Sequence, residues 1–202
     1  MNKKKLIPVA AAAVLTGTIG IGSTFAYFSD SEQVSNVITA GNIDISLWET
    51  DAGQNKNFEG MTFEGILPGD HLAKNPTITM EEGSAYLRVK VTMSGETEAD
   101  TQNELAESVW ESVEAGLAEN GWIKGAGDYY YYQEAAVQGS DYVVFDGIDV
   151  DAGAVDGAKA KFNIDIVAEA VQDRNFTPYK DTEGTIYAWY QTEAEQATTV
   201  VK

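Results

Sequence analysis

Alternation of apolar and polar residues with a period of two is the feature that most constrains the fold of this chain. Such alternation is typical of strands with one buried and one exposed face. It is clearest in Gly41–Glu49, Ala85–Met93 and Ala160–Gln172. Shorter strand-like segments are Thr77–Met80, Tyr129–Gln133, Asp141–Phe145 and Thr185–Gln191. Glycine, aspartate and asparagine separate these segments, so the sequence predicts seven or eight antiparallel strands in a sandwich or barrel.

One segment has helical periodicity instead. Its apolar residues recur at intervals of four, at Leu105, Val109, Val113 and Leu117. Thr101 and Glu104 have the spacing of a capping box, and Asn120-Gly121 supplies a left-handed stop. We therefore predict one amphipathic helix over about 101–120, lying on the sheets as a lid over the core.

The N-terminus has the three parts of an export signal. Residues 3–5 are lysines, an apolar run continues to about Gly22, and Thr24-Phe25-Ala26 supplies small residues before a cut. We predict a signal peptide over 1–26 that is cleaved between Ala26 and Tyr27. An uncleaved membrane anchor is the alternative, but the run of about 17 residues is shorter than the roughly 20 that a spanning helix needs.

Composition narrows the possible partners. Removal of residues 1–26, which hold three of the 13 basic residues and none of the 32 acidic ones, leaves 176 residues with a formal net charge of −22. That length suits one domain. The charge argues against nucleic acid, and against membrane binding after cleavage, because both need basic side chains. The chain has no cysteine, which excludes disulfides and thiolate chemistry.

Several motifs resemble the TasA/camelysin family of exported proteins from Gram-positive bacteria. The most specific are Thr24-Phe25-Ala26-Tyr27-Phe28-Ser29-Asp30, Thr39-Ala40-Gly41-Asn42-Ile43-Asp44-Ile45, the turn Leu67-Pro68-Gly69-Asp70 and the strand Leu87–Met93. Weaker similarity continues in Gly121-Trp122, Tyr129–Tyr132 and Ala168–Gln172. The resemblance thus touches most of the chain and is most specific in its first 70 or so residues.

The resemblance implies a mainly β fold, a jelly-roll-like antiparallel β-sandwich with inserted α-helices. It also implies a secreted protein that a SipW-type signal peptidase processes and that self-assembles into extracellular biofilm matrix fibres. In such fibres the freed N-terminal segment inserts as a strand into the next copy. The expected organisation is a signal peptide at 1–26, a donor strand at 27–40 and the sandwich at 41–202.

The expected donor strand carries apolar side chains that suit a groove. These are Tyr27, Phe28, Val34, Val37 and Ile38. A strand added to an open sheet edge satisfies unpaired backbone groups and places alternate side chains in the groove. Donation from head to tail does not close on itself and therefore gives filaments. Cleavage before Tyr27 would release this strand, and other matrix proteins are possible further partners.

The camelysin part of the family carries a metallopeptidase description, which is the first alternative function. Catalytic zinc usually has three protein ligands that are rich in histidine. This chain has a single histidine, His71, and no H-E-x-x-H motif. We therefore expect a protein that is not an enzyme and has no cofactor, catalytic residue or metal site, with His71 as a turn residue.

Other candidates have ordinary structural interpretations. Asp146–Asp151 offers carboxylates for Ca²⁺ but lacks the spacing of an EF-hand loop and is predicted to be a solvated turn. Tyr129–Tyr132 would bind sugars in a monomeric adhesion domain, the second alternative, although core packing is the expectation. Trp110, Trp122 and Trp189 are also expected to pack, whereas Trp48 is a candidate for an edge or a contact between subunits.

Overall fold

The computed structural model describes residues 29–33, 36–38, 43–50, 55–58, 66–95, 97–154 and 162–200, with the backbone alone at 29–33, 36–38 and 196–200. The helices are α1 (Glu98–Thr101), α2 (Glu104–Glu119) and α3 (Gln191–Val200), with a 3₁₀ turn at Ala126–Asp128. The strands are β1 (Ser29–Gln33), β2 (Asn36–Ile38), β3 (Asp44–Thr50), β4 (Lys56–Asn57), β5 (His71–Leu72), β6 (Thr77–Glu82), β7 (Ser84–Gly95), β8 (Trp122–Lys124), β9 (Tyr129–Tyr132), β10 (Ala136–Val137), β11 (Asp141–Val143), β12 (Ile148–Asp149), β13 (Phe162–Gln172), β14 (Tyr179–Lys180) and β15 (Ile186–Ala188).

Two antiparallel sheets form the body of the described chain. The larger has the order β2-β1-β13-β7-β9-β8, and β10 pairs with the start of β7. The smaller has the order β11-β6-β3-β4. The pairs β5–β12 and β14–β15 are separate two-stranded ribbons. The long strands β7 and β13 pair over the whole length of β13 and form the centre of the larger sheet.

The main core lies between the two sheets. Ile45 of β3, Ile78 of β6, Val89 of β7 and Ala168 of β13 are all buried in one hydrophobic cluster. Side chains of alternate residues from each strand reach this cluster, as expected when one sheet packs face to face on another. The protein is therefore mainly β and sandwich-like, and the prediction of a sandwich with inserted helices is confirmed.

The strand predictions hold best where alternation is longest. Ile43, Ile45 and Leu47 are buried while their neighbours in β3 are only half-buried, as predicted, apart from the buried Glu49. The turn before β5 also agrees, because Gly69 has a φ of +86°, which a β-carbon would disfavour. The strand predicted over 185–191 is shorter than expected, since it ends at Ala188 and α3 begins at Gln191.

The predicted helix exists, but its start differs from the prediction. Thr101 ends the short helix α1, which Thr97 and Asp100 cap at its own N-terminus. The helix α2 begins after Asn103, whose side chain accepts a hydrogen bond from the backbone N–H of Ala106. The capping box assigned to Thr101 and Glu104 is therefore wrong, because Asn103 is the N-cap, two residues further along the chain, and asparagine is a better N-cap than threonine.

The face of α2 that covers the core is the one predicted. Leu105, Val109, Val113 and Leu117 are each at most 1% exposed and belong to the main core. Replacing a buried leucine of this kind by alanine lowers the free energy of unfolding by about 2–5 kcal/mol. Helix α2 therefore acts as a lid on one end of the sandwich.

The outer face of the larger sheet is also covered. Phe176, Ile186 and Trp189 from the C-terminal part of the chain pack on Tyr131 and Val171 in a second, smaller cluster. Both faces of β7, β9 and β13 are thus shielded from water along part of their length. None of the described helices is long and apolar enough to cross a membrane.

Candidate functional site

The N-terminal strand β1 lies next to the outermost strand of the larger sheet, within the same chain. It pairs antiparallel with β13 from Ser29 opposite Val171 to Gln33 opposite Val167. The strand β2 pairs with the other side of β1 and forms the outermost strand. The described parts of the segment expected to be a donor strand are therefore extended and paired within the larger sheet.

Most of the residues singled out for this segment lie outside the described residues. This applies to the predicted cleavage site, Ala26 and Tyr27, and to Phe28 and Val34. Val37 and Ile38 lie in β2, where their backbones pair opposite Glu32 and Ser31. The roles predicted for these five side chains and for the cleavage site stay predictions.

Strand β13 is held in place by partners other than β1. Its opposite edge pairs with β7 over all of Phe162–Gln172. Ile166, Ala168 and Ala170 face the main core and are at most 6% exposed. Without β1, the described contacts leave β13 as a fixed strand with a row of unpaired backbone groups, which is the kind of edge that accepts another strand.

A buried arginine lies on the outer face of the same strands. Arg88 of β7 is 6% exposed and contacts two carboxylates. Its Nε lies 2.7 Å from Oε2 of Glu169 in β13, and its Nη1 lies 2.8 Å from Oε1 of Glu193 in α3. The guanidinium carbon lies 3.8 Å from the ring centroid of Tyr129 and 4.3 Å from that of Trp189. We call these five residues the Arg88 cluster.

The charges of the Arg88 cluster depend on one another. Burial by itself would lower the pKa of Arg88, but Glu169 and then Glu193 more than offset it and hold that pKa above its ordinary value. Glu169 also accepts a hydrogen bond of 3.0 Å from the Tyr129 hydroxyl. The cluster therefore joins β7, β9, β13 and α3 through charge-assisted hydrogen bonds.

A second buried ion pair joins β3 of the smaller sheet to the segment between β5 and β6. Nζ of Lys74 contacts Oε1 of Glu49, and the two side chains are only 8% and 7% exposed. Oε2 of Glu49 is buried and has no hydrogen-bond partner among the residues that the structure describes. Neither residue was singled out from the sequence, because a strand that ends in charged residues is normally read as leaving the core.

The histidine lies in a two-stranded ribbon, opposite Asp149. His71 is in β5, not in a turn as predicted, and its Nδ1 lies 2.7 Å from Oδ1 of Asp149 in β12. The carboxylate of the preceding Asp70 accepts a hydrogen bond from the backbone of Leu67. Across the described part of the chain, no three His, Cys, Asp or Glu side chains are grouped so as to hold a metal ion. The donor set found there does not fit a zinc centre with histidine-rich ligands.

The acidic stretch after β11 is part strand and part turn. Ile148 and Asp149 form β12, and the backbone N–H groups of Asp149 and Asp151 donate to the hydroxyls of Ser112 and Ser108 in α2. These bonds fasten the stretch to the lid helix. They give it a structural role without requiring Ca²⁺.

The aromatic candidates are mostly packing residues, as predicted. Tyr130 and Tyr131 are 4% and 0% exposed and belong to the main and second clusters respectively. The row at 129–132 therefore does not form an open sugar-binding platform. Trp122 and Trp189 are 1% and 2% exposed.

Trp48 lies near the edge strand β4 but has partners within its own chain. Its indole N–H donates to Thr79 at 2.8 Å, and Nζ of Lys56 lies 4.3 Å from its ring centroid. These contacts account for an aromatic residue on the outer face of the smaller sheet. The predicted contact between subunits stays a prediction.

The tyrosine row gives the protein a specific sensitivity to alkali. Burial, followed by the hydrogen bond to Glu114, raises the pKa of Tyr130 from 10.0 to about 12. Above pH 10 the unfolded chain releases this proton while the folded chain keeps it. The contribution of Tyr130 to the free energy of unfolding is therefore fully present below pH 10 and is lost as the pH rises towards 12. We expect a loss of about 2–3 kcal/mol from this group in urea unfolding curves.

The matched comparison for this alkaline effect uses two tyrosine variants. Tyr130→Phe should lose less stability between pH 10 and 12 than the parent does. Tyr179→Phe, at a tyrosine that is 39% exposed, should keep the parental pH dependence. Equal slopes for the parent and Tyr130→Phe would contradict the assignment.

These observations define an antiparallel β-sandwich protein whose N-terminal strands β1 and β2 form one end of its larger sheet. A family model described as camelysin metallo-endopeptidase matches residues 1–115. The chain belongs to this family, as the resemblance of its motifs predicted. No curated protein and no solved structure showed significant similarity to the chain.

Proposed function

We propose that the mature chain is a secreted structural protein that self-assembles into extracellular biofilm matrix fibres by exchange of its N-terminal strand. The observation that carries the proposal is the pairing of β1 with β13, which would be the edge strand of the larger sheet if β1 and β2 left it. The hairpin of β1 and β2 forms the end of the strand order, so it can leave without removing a strand from the middle.

Exchange between copies conserves the contacts that the fold already makes. A β1 strand from a neighbour can adopt the same register against Val167–Val171 as the chain's own β1. The two arrangements then differ little in contact energy, and protein concentration decides between them. Because each copy donates at one edge and accepts at the same kind of edge on the next, the assembly is open-ended.

Processing fits the same scheme. A signal peptide attached before Tyr27 would keep β1 close to the membrane, and cleavage by a SipW-type signal peptidase would free it. Membership of the camelysin family and the lysine-led apolar N-terminus support export. The formal charge of −22 that remains after cleavage keeps single copies soluble until strand exchange joins them.

The test uses cysteines placed across the predicted exchange. Gln33→Cys and Val167→Cys are made in separate mature chains, because residues 33 and 167 are opposite each other in the register. Antiparallel partners have Cα atoms about 4.5–5.5 Å apart, which suits a disulfide. We expect the oxidised mixture to give crosslinked pairs on non-reducing gels, and electron microscopy to show fibres of the parent chain.

Two controls decide the outcome. A mixture of Gln33→Cys with Glu183→Cys, at an exposed residue outside the larger sheet, should give no specific crosslink. Deletion of residues 27–36, which removes β1, should abolish the fibres. Normal fibres from the deleted chain would sink the proposal, since they would have to form without the donor strand.

The description of the family favours one competing function, that of a metallo-endopeptidase. The purified mature chain can be incubated with a general protease substrate, with and without a chelator. Cleavage that the chelator abolishes, and that follows the protein through a final gel-filtration step, would establish this second function. Strand exchange does not depend on that result.

A further inference from the structure

A pocket of about 650 Å³ lies between the end of β7 and the first turns of α2. Its lining includes Met93, Thr101, Gln102, Glu104, Glu107 and Trp110. This volume is within the range of small-ligand sites. None of the described residues that line the pocket belongs to β1 or β13, so it is a separate feature from the strand-exchange edge.

The apolar wall of the pocket is a tryptophan that the fold holds in place. Trp110 and Met93 are half-buried and pack against the main core. Glu114, four residues after Trp110 in α2, accepts hydrogen bonds from Lys124 of β8 at 2.8 Å and from Tyr130 of β9 at 2.6 Å, and these bonds fix this part of α2 against the sheet. The ring is therefore positioned before any ligand arrives, which reduces the entropy cost of binding.

The polar rim of the pocket is acidic and amidic. Glu104 and Glu107 are exposed carboxylates in the first turn of α2, and Gln102 is an exposed amide just before it. None of the described residues that line the pocket is basic. Together with a formal charge of −19 for the whole chain, this rim favours cations and repels anionic ligands.

We propose that this pocket binds an oligosaccharide with free amino groups, such as a deacetylated hexosamine polymer. The C–H face of a sugar ring would stack on Trp110, as apolar faces do on aromatic rings. An ammonium group would pair with Glu107, and hydroxyls would bond to the donor and acceptor of the Gln102 amide. A polyamine would pair with the carboxylates but would not stack on Trp110. An N-acetylated glycan would stack on Trp110 but would not pair with the carboxylates.

The experiment is isothermal titration of the full mature chain at pH 6 with three probes. These are a glucosamine tetramer, an N-acetylglucosamine tetramer and spermidine. We expect the glucosamine tetramer to bind most tightly, because it alone uses both the aromatic wall and the carboxylates. Equal or tighter binding of spermidine would overturn the proposal and assign a simple cation site, and tighter binding of the acetylated tetramer would overturn the role of the charge.

Three variants separate the two contributions. Glu107→Gln should lower the affinity for the glucosamine tetramer by about fivefold, which is the upper range for an exposed ion pair. The affinity for the acetylated tetramer should not change. Trp110→Leu should lower the affinity for both sugar tetramers by at least about fivefold and should not change the affinity for spermidine. Glu111→Gln, at an exposed glutamate of α2 outside the lining, should change nothing.

The control at residue 111 also gives the sharpest contrary outcome. If Glu111→Gln weakens the glucosamine tetramer as much as Glu107→Gln does, binding follows the overall charge and not the pocket. Glu107 is exposed, so its variant is expected to fold, and a melting curve checks this for Trp110→Leu. Sugar binding that survives both pocket variants places the ligand elsewhere and refutes the site.

Discussion

Replacement of Arg88 by methionine is expected to lower the free energy of unfolding by about 3–5 kcal/mol, because it leaves two carboxylates without their partner in a largely buried site. Glu169 and Glu193 are only 22% and 18% exposed. Methionine fills a similar volume, so the loss measures the missing charge more than a cavity. Urea unfolding followed by tryptophan fluorescence gives the quantity directly.

A neighbouring cation supplies the matched control for this variant. Lys90 lies on the same face of β7, and its Nζ lies 5.7 Å from the ring centroid of Tyr129. Lys90→Met should cost less than about 1 kcal/mol, since this residue has a cation–π contact but belongs to no buried ion pair that the structure describes. If the two variants unfold at the same urea concentration, the Arg88 cluster does not stabilise the fold as argued.

The sequence predicted the inner surface of the sandwich well, and the reason is physical. In β3, β7 and β13, the side chains at every second position face the same core. The alternation of apolar and polar residues therefore indicates directly which positions are buried. Val89 and Ile166 are buried as their alternation indicates. The same reasoning held for α2, where a spacing of four residues marks the buried stripe.

The outer face of the larger sheet could not be predicted in this way. Arg88 stands at an outward position of an alternating strand, where a charged residue is normally solvated. It is buried because α3 and the residues before it return to cover that face, through contacts such as the one from Arg88 to Glu193. Pairings between residues this far apart leave no local pattern. The one available signal was the presence of opposite charges, Arg88 and Glu169, on two long strands.

The C-terminal helix was missed for a similar reason. Residues 185–190 are rich in β-branched and aromatic side chains, and this composition continued the strand prediction to Gln191. The chain turns instead after Trp189, where the carboxylate of Glu193 accepts hydrogen bonds from the backbone N–H groups of Trp189 and Tyr190. That carboxylate serves as a helix cap while it also pairs with Arg88, a double role that depends on tertiary contacts.

The candidate site was predictable on the donor side alone. The motif after the predicted signal peptide indicated an extended segment near residues 27–40, and β1 and β2 lie within it. Its partner strand could not be derived, because residues 29–33 pair with residues 167–171 and nothing local connects them. Register between strands so far apart is set by the whole sheet.

Replacement of Lys74 by methionine is the second large effect we expect, at about 3–5 kcal/mol of unfolding free energy. The change leaves Glu49 buried, and within the described part of the chain its Oε2 already has no hydrogen-bond partner. A carboxylate in that position must either stay charged without compensation or take up a proton, and both reduce stability at neutral pH. Urea unfolding at pH 7 measures the loss.

The double variant Lys74→Met with Glu49→Leu distinguishes an unpaired charge from lost packing. Replacing both partners of a buried pair by apolar residues of similar volume is often neutral, so the double variant should recover most of the stability lost in Lys74→Met. Because Lys74 and Glu49 are in direct contact, the two single effects should not add. A double variant that is less stable than either single variant would contradict this explanation. It would show that the shape and the apolar contacts of these two side chains, and not their charges, determine the stability of this end of the sandwich.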